Sequence, residues 1–242
     1  MASGDLFTGS TIMSSPPSFD EFAKDYAESF RGLAGIPGKK WHDYVTRWRA
    51  DYLNRIAQEK LGNLTSIKAL DIGCGIGLSH AYLSSLGQLS GVDVSAVSLG
   101  IAQKQFPQFA YQLYDGKHLP YSDGAFDVTM AVCVLHHVEP SERMSFLSEM
   151  SRVTRSGGLT VLVEHNPFNI VSQWIVARCE FDVGVKLVYP RKLKSLWEKT
   201  SMCDVRVDFL WYATPALLNQ RMEKLLRRIP LGLQYSTVAT KA

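Results

Sequence analysis

Residues 69–80, ALDIGCGIGLSH, constrain the fold more than any other part of this chain. An apolar run of strand character leads into Gly73-Cys74-Gly75-Ile76-Gly77 and then into a segment of helical character. Glycines at that spacing let the backbone turn sharply and approach a ligand closely. Strand-loop-helix units of this kind belong to open α/β sheets that bind nucleotides beyond the carboxyl ends of their strands. Two nucleotide motifs are excluded at once. The dinucleotide fingerprint needs its last glycine where Leu78 stands, and a P-loop needs Lys followed by Ser or Thr after its last glycine.

Downstream, short β-rich runs alternate with helical stretches, which predicts βαβ units and a mostly parallel sheet. Strands are expected over 67–72, 89–94, 109–113, 126–132, 159–164, 205–210 and 234–240, and helices over 76–86, 95–105 and 141–153. Ser156-Gly157-Gly158 reads as a C-cap and turn closing the last of these. Upstream, Phe19, Phe22, Tyr26 and Phe30 recur at helical spacing, and after a break at 35–38 a second helix is expected over 41–56. Spacing alone shows this alternation and leaves the order of the strands open.

With 46% hydrophobic and 20% charged residues in 242, one large domain has enough apolar material for its core. Residues 1–17 read as a flexible leader without a secretory signal, and 18–242 as a single domain. Within it, 18–60 is a helical segment, 66–165 the alternating strand-helix core, 166–232 an insertion with C-terminal elements, and 233–242 the last strand. The longest apolar run, 128–135, falls short of the roughly 18 to 20 residues of a membrane helix, and a soluble, cytoplasmic protein is expected. Cys74, Cys133, Cys179 and Cys203 are widely spaced and offer no metal ligand set. A net charge of +3 gives no reason to expect nucleic acid. Residues 186–228 nevertheless carry ten basic against four acidic side chains. A basic amphipathic helix over 215–229 there either packs on the sheet or meets a phosphorylated substrate or an anionic lipid surface.

The glycine loop preceded by Asp71 resembles motif I of the class I S-adenosylmethionine-dependent methyltransferases. The likeness continues through Asp93 in GVDVS, Asp115 in YDGKHLPYSDGAFD, and the stretch LPYSDGAFDVTMAVCVLHHV. It implies the Rossmann-like methyltransferase fold, a seven-stranded sheet of five parallel strands plus a terminal hairpin with helices on both faces, in which 18–60 is the helical lid, 66–165 the cofactor-binding core and 166–232 a substrate-cover insertion with C-terminal elements, with S-adenosylmethionine as cofactor and S-adenosylhomocysteine as product. It also implies cofactor contacts from Asp71, Gly73, Cys74, Gly75, Gly77, Asp93, Val94, Asp115, Gly116, Lys117, Val132 and Cys133. Asp93 would accept the ribose hydroxyls and Asp115 the adenine amino group. Asp71 would mainly tie down the loop, and Cys74 would act through its backbone N–H. Tyr26, with Arg31 and Arg47, is a lid candidate for the methionine carboxylate.

Methyl transfer is a single in-line displacement, so the protein must align the acceptor and, where needed, remove a proton. Strand four ends in Val132-Cys133-Val134-Leu135-His136-His137 and strand five in Val163-Glu164-His165-Asn166, bringing three imidazoles to one rim. His136 is the first candidate base, His165 the second and His137 the third, with Glu164 orienting a histidine or binding a hydroxyl. His42, His80 and His118 read as structural or surface residues. The Asn-Pro-Pro-Tyr or Asp-Pro-Pro-Tyr clamp of amino-group methyltransferases is missing at 132–135, which favours a hydroxyl of a small molecule as acceptor. C- or N-methylation of a small molecule, and a cofactor-binding but inert partner module, are the alternatives. Intact Gly73, Gly75, Gly77, Asp93 and Asp115 weigh against the last. The apolar connection 168–189 is long enough to hold a helix that covers the substrate.

Overall fold

The computed structural model describes residue 20, residues 38–212 and residues 225–242. The leader, most of the lid including Tyr26 and Arg31, and most of the expected basic helix lie outside the described residues.

Helix α1 (Gly38–Leu61) buries Val45, Ala50, Leu53, Ile56 and Ala57 along one side and ends at Gly62, whose φ of 78° is the left-handed stop a glycine permits. The sheet follows from β1 (Lys68–Ile72), β2 (Gln88–Asp93), β3 (Ala110–Leu113), β4 (Phe126–Val132), β5 (Thr154–His165), β6 (Met202–Leu210) and β7 (Gln234–Lys241). Their spatial order is β3-β2-β1-β4-β5-β7-β6. β1 to β5 pair in parallel, while β7 enters antiparallel between β5 and β6. The chain therefore has the Rossmann-like α/β architecture of the class I methyltransferase fold.

β1 is buried on both faces, as a central parallel strand must be. On one face Leu70, Ile72 and Ala131 pack with Leu147 and Met150 of α3 (Arg143–Val153) and with Leu193 and Trp197 of α5 (Pro190–Trp197). On the other, Ala69, Met130, Val161 and Val163 pack with α1 and with Leu83 and Leu86. Between β2 and β3 runs α2 (Ala96–Gln105), N-capped by the Ser95 hydroxyl oxygen, which accepts from Ser98 N. A short helix, α4 (Ile170–Val176), and a single 3-10 turn (Glu180–Asp182) occupy the connection after β5.

Two sequence expectations are corrected. No α-helix forms over 76–86: a 3-10 turn spans Leu78–Ala81, and His80, Tyr82, Leu83 and Leu86 each bond back three residues. The cause is His80, whose fully buried ring is held between the Asp71 carboxylate and the Tyr111 hydroxyl. Nor do Gly157 and Gly158 cap a helix. α3 passes directly into β5 at Thr154, and the glycines lie where β4–β5 register shifts between Phe126 and Val128. A Cβ on Gly158 would stand 2.9 Å from the Asp127 carbonyl, so the close approach demands glycine.

Candidate active site

A cavity of about 580 Å³, within the range of small-molecule sites, opens beyond the carboxyl ends of the central strands. One end is built by the glycine loop. Gly73 and Gly75 line it with φ of 71° and 55°, and a Cβ on Gly73 would fall 2.5 Å from Val134. Asp93 ties this end together, its two carboxylate oxygens accepting Gly75 N at 2.8 Å and Ser95 N at 2.9 Å. Burial raises its pKa above the usual carboxylate value, and those N–H groups oppose the rise. Asp71 faces the loop and accepts from Ser79 Oγ and His80 Nε2, both at 3.1 Å.

Val94, Gly116, Lys117 and Asp115 also border this end. Asp115 accepts the backbone N–H of His118 and Lys117, which lower its pKa. Asp20 reaches the same region, where the Ser95 hydroxyl donates to its carboxylate at 2.5 Å. Cys74 also lines the cavity, and its N–H donates to the Val92 carbonyl at 3.1 Å. Gly77 is outside the cavity lining and packs against Tyr111, Ala102 and Phe106. Val132 and Cys133 do line the cavity, Cys133 in a left-handed conformation (φ 58°) costly for a non-glycine residue.

The far wall holds the histidines. Glu164, fully buried, accepts Val134 N at 3.2 Å and Leu135 N at 2.7 Å, and its second oxygen accepts from His136 Nδ1 at 2.5 Å. The other nitrogen of that ring, Nε2, is 3.3 Å from Asp182 Oδ1. Burial opposes a charge on His136, but Glu164 and Asp182 outweigh it and hold the pKa well above 6.5. Both ring nitrogens of His136 thus face carboxylates, which favour its charged form.

His165 and His137 are neutral. Burial, followed by the charge of His136, pushes each down to about 4. His137 Nε2 lies 3.3 Å from Asp182 Oδ1, and His165 Nδ1 lies 3.5 Å from the Ser172 hydroxyl. His42 also borders the cavity, and burial lowers it to about 4.

The sequence reading did not single out Asp182, Arg49, Tyr212 or Gln234. Arg49 Nε donates to Gln234 Oε1 at 2.8 Å, as does the Tyr212 hydroxyl, while Gln234 Nε2 reaches Cys133 Sγ at 3.0 Å. The signal for Asp182 was its place, with Glu180, as one of two carboxylates inside a mostly apolar connection. Arg227, counted among the cations that could attract an anion, instead packs over the Tyr52 ring and near Asp208.

The three depressed histidines carry a stability prediction. A ring with a folded pKa near 4 and an unfolded value near 6.5 binds a proton more readily when unfolded. Its contribution is therefore present above pH 6.5 and lost as pH falls toward 4. The raised His136 has the opposite sign, its contribution being complete below about pH 6.5 and lost as pH rises through its folded value. Three rings outweigh one, so Tm is expected to drop by roughly 5 °C or more between pH 7 and pH 5. Scanning calorimetry checks this, and a flat Tm would mean that these rings titrate normally.

Residues 70–162 match the family described as methyltransferase domain. The chain is 33% identical over 118 residues to an uncharacterized methyltransferase of Synechocystis, which covers 48% of this chain and 56% of that protein. It is 31% identical over 104 residues to ajmaline N-methyltransferase of Rauvolfia serpentina, covering 40% and 35%. The chain thus spans about half, or less, of the length of these relatives. In structure it is similar to a SAM dependent methyltransferase from Archaeoglobus fulgidus, with a TM-score of 0.58 over 83% of this chain and 99% of that one. At 20% identity that likeness is one of fold. The family match holds the glycine loop, Asp93, Asp115, His136 and His137, whereas Glu164, His165 and Asp182 lie beyond it.

Proposed function

The chain carries a class I S-adenosylmethionine-dependent methyltransferase domain, and on that premise we propose that it methylates a hydroxyl of a small molecule. The observation that carries the reading is the two-ended cavity: a glycine loop with Asp93 at one end, and neutral imidazoles beside Asp182 at the other. When bound, S-adenosylmethionine supplies an electrophilic methyl group on a positively charged sulfur.

The residues present fit that cofactor. Each Asp93 oxygen accepts one backbone N–H and keeps further acceptor capacity for a ribose hydroxyl. Asp115, held by its own turn, would accept from the adenine amino group, and the Gly73–Gly75 backbone leaves room for the chain between them. At the far wall the Glu164–His136–Asp182 row positions the neighbouring rings, and the acceptor's proton passes to a neutral imidazole. A weak base suffices there, because an oxygen that is gaining a methyl while still protonated becomes strongly acidic. The apolar backbone at 132–135 and the adjoining insertion, with Trp174 and Phe181 in the lining, suit an organic acceptor rather than a nucleic acid.

A nitrogen acceptor is the second reading, favoured by the relative named for N-methylation of ajmaline. The test is transfer of labelled methyl from S-adenosylmethionine into extract of the source organism, separated into lipid, small-molecule, nucleic-acid and protein pools. Label is expected in the small-molecule or lipid pool, as an ether stable to mild base, and lost with Asp93→Ala. Label on nitrogen would replace the hydroxyl assignment. Absence of label in every pool, with S-adenosylhomocysteine still bound, would favour an inert partner module.

A further inference from the structure

We propose that His136, His165 and Asp182 form a binding site for one divalent transition-metal ion in the wall of the cavity. The three side chains come from the turn after β4, the end of β5 and the 3-10 turn of the insertion. Each borders the cavity, and each can present a donor atom so that all three lie within 4.8 Å of one another. Donors about 2.0–2.2 Å from a shared ion stand roughly 3 to 3.5 Å apart. His136 Nε2 and Asp182 Oδ1, at 3.3 Å, already have that separation, and a His165 ring nitrogen lies within 4.8 Å of a donor atom on each of the other two.

A second observation points the same way. A ligating histidine usually gives its other N–H to a carboxylate, which fixes the tautomer and strengthens the donor. His136 Nδ1 does this to Glu164 at 2.5 Å, and Glu164 is itself held by the N–H groups of Val134 and Leu135. The carboxylates of Glu164 and Asp182, 2.5 and 3.3 Å from the two nitrogens of His136, would balance a dication in this buried place. Two imidazoles and one carboxylate suit zinc, cobalt, iron or nickel rather than magnesium or calcium. Three protein ligands leave coordination positions open, as in catalytic rather than structural sites.

The use of those positions rests on the reading of the cavity as a methyltransferase site. A substrate hydroxyl bound to the ion is acidified as metal-bound water is. In such a site the ion would make the hydroxyl a better proton donor, and the imidazole of His137, 3.3 Å from Asp182, would take the proton as the oxygen gains its methyl group. His165 then acts as a ligand, and His137 as the neutral imidazole of the preceding section.

The experiment titrates the chelator-stripped full chain with Co²⁺, read by visible absorption, and with Zn²⁺ in competition. S-adenosylhomocysteine affinity is measured calorimetrically on the same samples. One ion per chain is expected, with visible bands of a low-coordinate nitrogen and oxygen site. Asp182→Asn and His165→Gln should each weaken Co²⁺ binding at least about 100-fold, beyond the 10- to 100-fold typical of outer-shell changes. Both should leave S-adenosylhomocysteine affinity within about threefold, which reports that they fold. His118→Gln, at an exposed histidine, should change neither. Failure to bind one ion at up to 100 times a micromolar concentration, or equal binding by Asp182→Asn and the parent, would overturn the site. Ion binding without any S-adenosylhomocysteine binding would keep the site and overturn the methyltransferase reading instead.

Discussion

Replacing Glu164 by Ala is expected to destabilise the fold by about 3–5 kcal/mol, the cost of breaking a buried ion pair from one side. The carboxylate is fully buried and satisfies three donors at once: Val134 N, Leu135 N and His136 Nδ1. Its loss leaves two backbone N–H groups and a charged ring without their acceptor, in a region where water cannot substitute. Part of the electrostatic cost is recovered because His136 sheds its proton, and the unsatisfied N–H groups set the floor, at about 1–3 kcal/mol each. Glu164→Gln keeps an oxygen for the backbone and should cost less. Urea unfolding at pH 7 and pH 9 separates the contributions. The stabilisation from the raised His136 is complete below about pH 6.5 and fades as pH rises through its folded value, so the gap between parent and variant should narrow at pH 9. A loss below about 1 kcal/mol at pH 7 would mean that the row is energetically neutral.

Asp93→Ala is expected to weaken S-adenosylhomocysteine binding at least about 100-fold, from two charge-assisted hydrogen bonds at about 1.5–3 kcal/mol each. The same change removes the acceptor for Gly75 N and Ser95 N, so the glycine loop loosens from β2 as contacts to ligand are lost. These N–H groups border the cavity and can turn to water, which limits the stability loss to about 1–2 kcal/mol. Asp93→Asn, which keeps one acceptor oxygen, should fall between parent and Ala in affinity. Calorimetric titration with denaturant melts of the same samples checks both. Affinity within threefold of the parent would mean that Asp93 serves the loop alone.

How much of this was legible before folding depends on the range of the interaction. α2 and the seven strands have local causes: β-rich runs, a Ser95 cap, and glycines where φ is positive. The expected helix at 76–86 failed because the buried bridge from His80 to Asp71 and Tyr111 reaches two different strands. The glycines at 157 and 158 were misread as a cap because a helix stop and a bulge demand the same backbone freedom. The partner of the Cys74 N–H, Val92, was not legible because it lies on the neighbouring strand.

The sequence by itself determined the alternation of strands and helices and the glycine loop, because each depends on residues a few places apart, while the order of the strands is set by pairings between distant segments. The chemistry of the far wall was decided only by tertiary structure. The three histidines could be counted at one rim, but their charge states depend on Glu164, 28 residues from His136, and on Asp182, 46 residues away. A proton's free energy on a buried ring follows the nearest charges and the loss of water, and both exist only once the insertion has closed over the strand ends.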